Sequence, residues 1–302
     1  MLSPAALAVS LLASGAWSSV RPPECADDHG RSANVWERAK LPELRRYCDA
    51  IAGSSSRLAG TAIMAQSALE MAREAERLLP GRAASRVLEG RALAALGRPD
   101  LALAALREGR ARDPRALDQP VVLLVWARVL ARTGHSDEAV EAYRALLPRA
   151  GSLSIAERAA AALEAGLTAM ACGHETLDEA VAALRLAMRW SQDDVEAVAV
   201  LALGLALDRR AEAAEARMLL SDRAHGDPRG ALATERAREL LAVAPAEGPA
   251  LAAIALEATD LGGARDAWQE YLDGASSSPW AAHARAHLAA LTRGRPAARP
   301  GR

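Results

Sequence analysis

The stretch from Ser85 to Pro114, SRVLEGRALAALGRPDLALAALREGRARDP, constrains the fold more than any other part of the chain. Two segments with apolar residues at helical spacing meet at Gly97-Arg98-Pro99-Asp100, and Pro114 closes the unit. Glycine and proline end one helix where the next must begin, so the stretch predicts a helical hairpin. Gly90 on the first segment and Ala102 and Gly109 on the second are small. They stand where two helices approach closely, with Leu93 and Leu106 filling the space beside them.

The pattern recurs downstream. Trp126, Ala127 and Leu130 precede a turn at Gly134, with Ala139, Tyr143 and Leu146 after it. Gly166 precedes an expanded turn at Gly173-His174-Glu175, followed by Ala180, Leu184 and Ala187. Leu203, Gly204 and Leu207 precede Ala216 and Leu220, with Ala211 where a turn glycine is expected. Leu251, Ile254 and Ala255 precede Gly262-Gly263, then Ala267, Tyr271 and Pro279. Between the last two units, residues 230–244 read as an extra helix with no evident pair. A single hairpin cannot bury its own apolar face, so successive hairpins are expected to stack.

On these residues the chain resembles the tetratricopeptide repeat family over 83–281. The resemblance implies an all-α, right-handed α-solenoid of helical hairpins. The expected organisation is a signal peptide at 1–16, an arm at 17–33, an N-terminal helical hairpin at 34–81, a superhelical array at 82–292 and a disordered tail at 293–302. Within the hairpin at 34–81, Ala52–Ser56 reads as the connection and Arg57–Leu79 as one long helix. A final helix from Pro279 to Leu291, with Trp280, Ala284, Leu288 and Leu291 on one face, reads as a cap on the stack.

Composition agrees with an all-α chain. Of 302 residues, 51% are hydrophobic but only 3% aromatic, with no phenylalanine, and alanine and leucine supply most of the apolar surface. Such residues suit close helix packing, whereas a β-structure calls for β-branched and aromatic side chains. The formal net charge is −1, so no basic field exists to attract nucleic acid. Lys40 is the only lysine and Asn34 the only asparagine, and both precede the repeats. The tetratricopeptide clamp that grips chaperone tails needs lysines and asparagines within the repeats, so that subtype is set aside.

Residues 1–16 carry an uncharged apolar run from Pro4 to Leu12, and Ser14-Gly15-Ala16 fits a signal-peptidase site. The leader departs from the usual pattern in lacking Lys or Arg before the apolar run. It predicts export to the periplasm, with a cytoplasmic chain as the alternative, and no transmembrane segment after cleavage. In an oxidising compartment Cys25 and Cys48 either bridge, stapling the arm to the first helix, or remain two unrelated thiols. Cys172, in an alanine-rich helix, reads as a small buried hydrophobe.

No nucleophile elbow or phosphate-binding glycine loop is present. His283 and His287 are four residues apart and both could touch one metal. However, Ala284 stands where a metalloprotease helix needs glutamate, and no third ligand is evident. Neither metal nor cofactor is expected, and no enzyme activity.

The resemblance places helix-A positions on a concave groove: Arg91 and Arg128 in the early repeats, then Leu163, Leu167, Met170, Leu201, Leu205 and Leu256. Such a groove suits a peptide or helix with an acidic end, since arginine forks pair carboxylates and apolar grooves take amphipathic helices. Alternatively, the arginines are solvated and the leucines belong to the core. The expected function is a non-catalytic adaptor binding one or more proteins in a bacterial cell-envelope assembly. The alternative is an envelope protein binding a small ligand, lipid or glycan; the scarcity of free aromatics argues against sugar stacking.

Overall fold

A computed structural model describes residues 22, 25, 42–58, 62–191, 194–223 and 227–293. The leader at 1–16, most of the arm at 17–33, residues 34–41 and the tail at 294–302 lie outside the described residues. Fifteen α-helices and no strand occur among those described. The chain divides into two compact units, one up to Val129 and one from Leu130 onward.

The first unit holds α1 (Pro42–Arg57), α2 (Ala62–Leu78), α3 (Ala83–Ala95) and α4 (Pro99–Arg112), and most of α5 (Pro120–Arg132). Helices α1 and α2 pair, α3 and α4 pair, and α3 also packs on both α1 and α2. The second helix of the first hairpin therefore meets the first helix of the next, the contact order of a stacked repeat. Residues 52–56 are not a connection: they form the last turn of α1. Buried Ser54 donates its hydroxyl to the Ala68 carbonyl at 2.8 Å, and Gly53 lies against Met71. A small-residue run that resembles a linker thus serves as a close helix contact. Cys25 and Cys48 are joined by a disulfide, with both residues against the cluster of Tyr47, Ile51 and Leu88.

An ionic network fastens α2 to α3 and α4. Arg112 Nη1 and Nη2 each donate to one oxygen of Glu76 at 2.8 Å, the Ser85 hydroxyl donates to the same carboxylate, and Arg112 also reaches the Arg82 carbonyl. Burial alone would raise the Glu76 carboxyl, but the hydrogen bonds from Arg112 and then Ser85 and Gly81 outweigh it and bring it to about 2. A depressed folded-state pKa gives stability that is present above the unfolded value of about 4.5 and lost as pH falls toward 2. Glu76→Gln is therefore expected to destabilise the first unit by about 1.5–3 kcal/mol at pH 7. Urea unfolding should show the gap between the two proteins closing as pH falls through that window; a gap independent of pH would show that the charge of Glu76 contributes nothing.

The second unit holds the end of α5, α6 (Ser136–Leu146), α7 (Ile155–Cys172), α8 (Leu177–Trp190), α9 (Asp194–Arg209) and α10 (Ala213–Arg223). It continues with α11 (Pro228–Ala233), α12 (Glu235–Leu241), α13 (Glu247–Leu256), α14 (Leu261–Gly274) and α15 (Ala281–Arg293). The stacking order recurs here, with α7 on α8, α8 on α9, and α7 on α9. Helix α7 begins with a reciprocal cap, in which the Ser154 hydroxyl accepts from Glu157 N–H and the Glu157 carboxylate accepts from Ser154 N–H.

Three turns share one geometry. Gly97 (φ 69°), Gly134 (φ 78°) and Ala211 (φ 64°) are left-handed, and the N–H that follows each bonds back five residues. Those bonds, from Arg98 to Leu93, from His135 to Leu130 and from Glu212 to Leu207, are each 2.9 Å. This is the Schellman helix end, which favours glycine at the left-handed position. Ala211 accepts the same conformation at a cost of about 1–2 kcal/mol. The helix–helix contact also repeats: Gly90 faces Leu106, Gly166 faces Leu184, and Gly204 faces Leu220.

Beyond α10 the packing order changes. The stretch read as one extra helix at 230–244 is instead α11 and α12, two short helices split at Thr234, whose hydroxyl caps α12, and residues 242–244 lie beyond the helix. Helix α12 packs on α7 and α9, α13 packs on α9 and pairs with α14, and α15 follows on α14. The Trp280 indole N–H donates to the Met170 carbonyl at 2.7 Å, anchoring the start of α15 to α7. Thr292 and Arg293, the latter read as tail from sequence, complete α15.

Candidate functional site

Within the first unit, α3 carries Arg91 on its partly buried face. Burial lowers its guanidinium to about 10, and Nη1 has no hydrogen-bond partner in the structure. Other buried charge in this unit is compensated: Glu89 accepts from Arg73 at 3.0 Å and from Arg86 at 2.6 Å. Arg91 is thus a cation withdrawn from water without a matching anion, an arrangement that costs free energy until an acceptor arrives. Arg128 is also partly buried, and it interacts with another group of the protein.

The six apolar positions assigned to the groove lie in the second unit and are all buried: Leu163, Leu167, Met170, Leu201, Leu205 and Leu256. Helices α12 and α13 pack on the helices that carry the first five.

A polar centre not expected from sequence stands at the C-terminal end of α9. Asp208 Oδ2 lies 2.8 Å from His283 Nε2 and 2.9 Å from His287 Nε2, so α9 supplies a carboxylate to two imidazoles one turn apart on α15. His287 Nδ1 lies 2.7 Å from Glu257 Oε1, and the Trp268 indole N–H donates to that same oxygen at 2.8 Å. Burial alone would raise the Asp208 carboxyl, but the hydrogen bonds from His283 and His287 hold it well below the usual carboxylate range. Burial alone would lower His287, but its bonds to Asp208 and Glu257 and their charges lift it to about 9. The His283 ring lies edge-on to Trp268 and Trp280. This group of one carboxylate and two imidazoles has the donor chemistry of a metal site.

Beside it, Arg209 and Glu247 form a buried ion pair at 2.7 Å, with side-chain exposures of 0% and 3%. The Arg209 guanidinium lies over the Trp280 ring at 4.7 Å and the Tyr271 ring at 5.8 Å. Desolvation raises Glu247 despite the charge of Arg209 beside it. Cys172 is a free thiol pushed up to about 11 by burial and by Asp137, which makes it a poor nucleophile.

Sequence reasoning found the two histidines and missed Asp208 and Glu257. These lie 75 residues from His283 and 30 residues from His287 respectively. The four-residue histidine spacing was the available signal; the carboxylates arrive only through the packing of α9, α13 and α15.

No family model matches the chain, and no curated protein does. Among solved structures, the chain is similar to pilF of Pseudomonas aeruginosa, with 14% identity, 84% of this chain and 100% of that chain covered, and a TM-score of 0.47. It is also similar to a thermophilic TPR protein of Thermus thermophilus, with 20% identity, 70% and 99% covered, and a TM-score of 0.37. The assignment of fold rests on the chain's own hairpins: the recurring Schellman turns, the glycine–leucine contacts and the stacking order make it an all-α helical-repeat protein of tetratricopeptide type.

Proposed function

We propose that the chain is a non-catalytic scaffold that binds a peptide or helix of a partner protein, with an acidic group of the partner seated on Arg91. The observation that carries this reading is the uncompensated guanidinium of Arg91 on the first helix of a repeat hairpin. A carboxylate placed there makes the charge-assisted pair that the protein itself does not supply. The buried carboxylates Glu89, Glu164 and Glu247 face Arg73 and Arg86, Tyr143, and Arg209 respectively, which supports structural rather than catalytic roles for them.

The cell envelope is the proposed setting. The apolar leader supports it, and so does the Cys25–Cys48 bridge, which persists in an oxidising compartment. The small-ligand alternative draws less support, because the leucines it needs are buried.

The test is affinity capture from periplasmic and cytosolic fractions of the native host with wild-type protein, Arg91→Gln and Arg91→Glu side by side. A protein retained by the wild type is expected to bind about 10- to 100-fold more weakly to Arg91→Gln and still more weakly to Arg91→Glu, matching loss of a charge-assisted hydrogen bond. Equal affinity for all three proteins would remove Arg91 from the interface. Capture from cytosol alone would overturn the envelope setting.

A further inference from the structure

We propose that Asp208, His283 and His287 form a binding site for one divalent first-row transition-metal ion, which fastens α15 to the end of α9. The site needs nothing from the partner-binding reading above and stands or falls separately.

One ligand atom from each residue lies within 4.8 Å of the others. The two Asp208–imidazole distances, 2.8 and 2.9 Å, match the edge of an octahedral site with ligands about 2.0–2.1 Å from the metal, and tetrahedral zinc needs them to open by about 0.5 Å. An ion takes the place of the Nε2 protons, with the two imidazoles closing on it to within about 4.1 Å of each other. Two nitrogen donors and one carboxylate suit zinc, iron, cobalt or nickel, whereas calcium and magnesium favour all-oxygen sets.

The surroundings orient His287, whereas Nδ1 of His283 is buried without a hydrogen-bond partner. With an ion on Nε2, His287 carries its proton on Nδ1 and donates it to Glu257, which Trp268 holds in place. A carboxylate behind a ligating imidazole is the usual outer support of such sites. The carboxylates of Asp208 and Glu257 together balance the charge of a divalent cation. Asp208 lies in the last turn of α9, where the helix end favours positive charge. Each histidine side chain keeps 20% of its surface accessible, which leaves ion and solvent a way in.

The test is Co2+ titration of chelator-stripped full-length protein without a histidine tag, followed by displacement with Zn2+. The expected result is a visible absorption band that saturates at one Co2+ per chain and is abolished by Zn2+. Asp208→Ala and His287→Ala are expected to lose the band, and Glu257→Gln to bind about 10- to 100-fold more weakly. Far-UV circular dichroism establishes that each variant is folded. As a measurement that needs no variant, 15N NMR of the wild-type imidazoles should show His283 and His287 shifting at Nε2 on Zn2+ addition. No cobalt band, or Zn2+ shifts confined to the other four of the six histidines, would overturn the proposal and leave the cluster a hydrogen-bonded ionic contact.

Discussion

Gly166→Val is expected to destabilise the second unit by about 3 kcal/mol, and Leu184→Ala in the same chain to relieve part of that loss. A Cβ at Gly166 would lie 2.5 Å from Leu184 Cγ, 2.7 Å from its Cδ2 and 3.2 Å from the Ala180 carbonyl oxygen. The leucine is fully buried and cannot swing into solvent, so α7 and α8 must separate. Overpacking of this kind costs about 1–3 kcal/mol, or more where backbone is also crowded, and outweighs the few tenths gained in helix propensity. Leu184→Ala alone should cost about 2–5 kcal/mol through the cavity it leaves. The double variant should lose about 1–3 kcal/mol less than the sum, because each change fills or vacates the same space. Gly151→Val is the control, since a Cβ there meets nothing within 4 Å. Urea midpoints for the four variants decide the matter. Additive losses at Gly166 and Leu184 would mean that the contact does not set the helix spacing.

That contact was legible because it is local. Gly90 and Leu106, Gly166 and Leu184, and Gly204 and Leu220 each belong to one hairpin, so their spacing survives in the linear sequence. The turns were legible for the same reason, and even Ala211 was placed at a turn from the positions around it. Two kinds of feature were not legible. Small residues at 52–56 have the composition of a linker, and only the packing of Ser54 and Gly53 on α2 shows them to be helix. Features that depend on the chain returning to itself also leave no local trace. The leucines of α7 and α9 have the periodicity of an inner groove whether that face is open or covered, and only their burial shows that it is covered. Asp208 reads as an ordinary polar residue at a helix end until α15 brings His283 and His287 against it.

The same return of the chain makes Arg209 the second position of large effect. Arg209→Ala is expected to cost about 3–5 kcal/mol, because it leaves the buried Glu247 carboxylate without its cation. It also removes the guanidinium that lies over the Trp280 and Tyr271 rings. The defect has a sign with pH. Glu247 is raised by desolvation even with Arg209 present, and it rises further when the arginine is gone. A carboxyl whose folded-state pKa lies above its unfolded value of about 4.5 contributes most at low pH and loses that contribution as pH rises. The deficit of Arg209→Ala relative to wild type should therefore be smallest near pH 4.5 and grow toward neutrality. Arg209→Met/Glu247→Leu replaces both charges with apolar groups and should recover most of the loss at every pH. If the single variant shows the same deficit from pH 4.5 to 8, Arg209 acts through its stacking on the two rings and not through its charge.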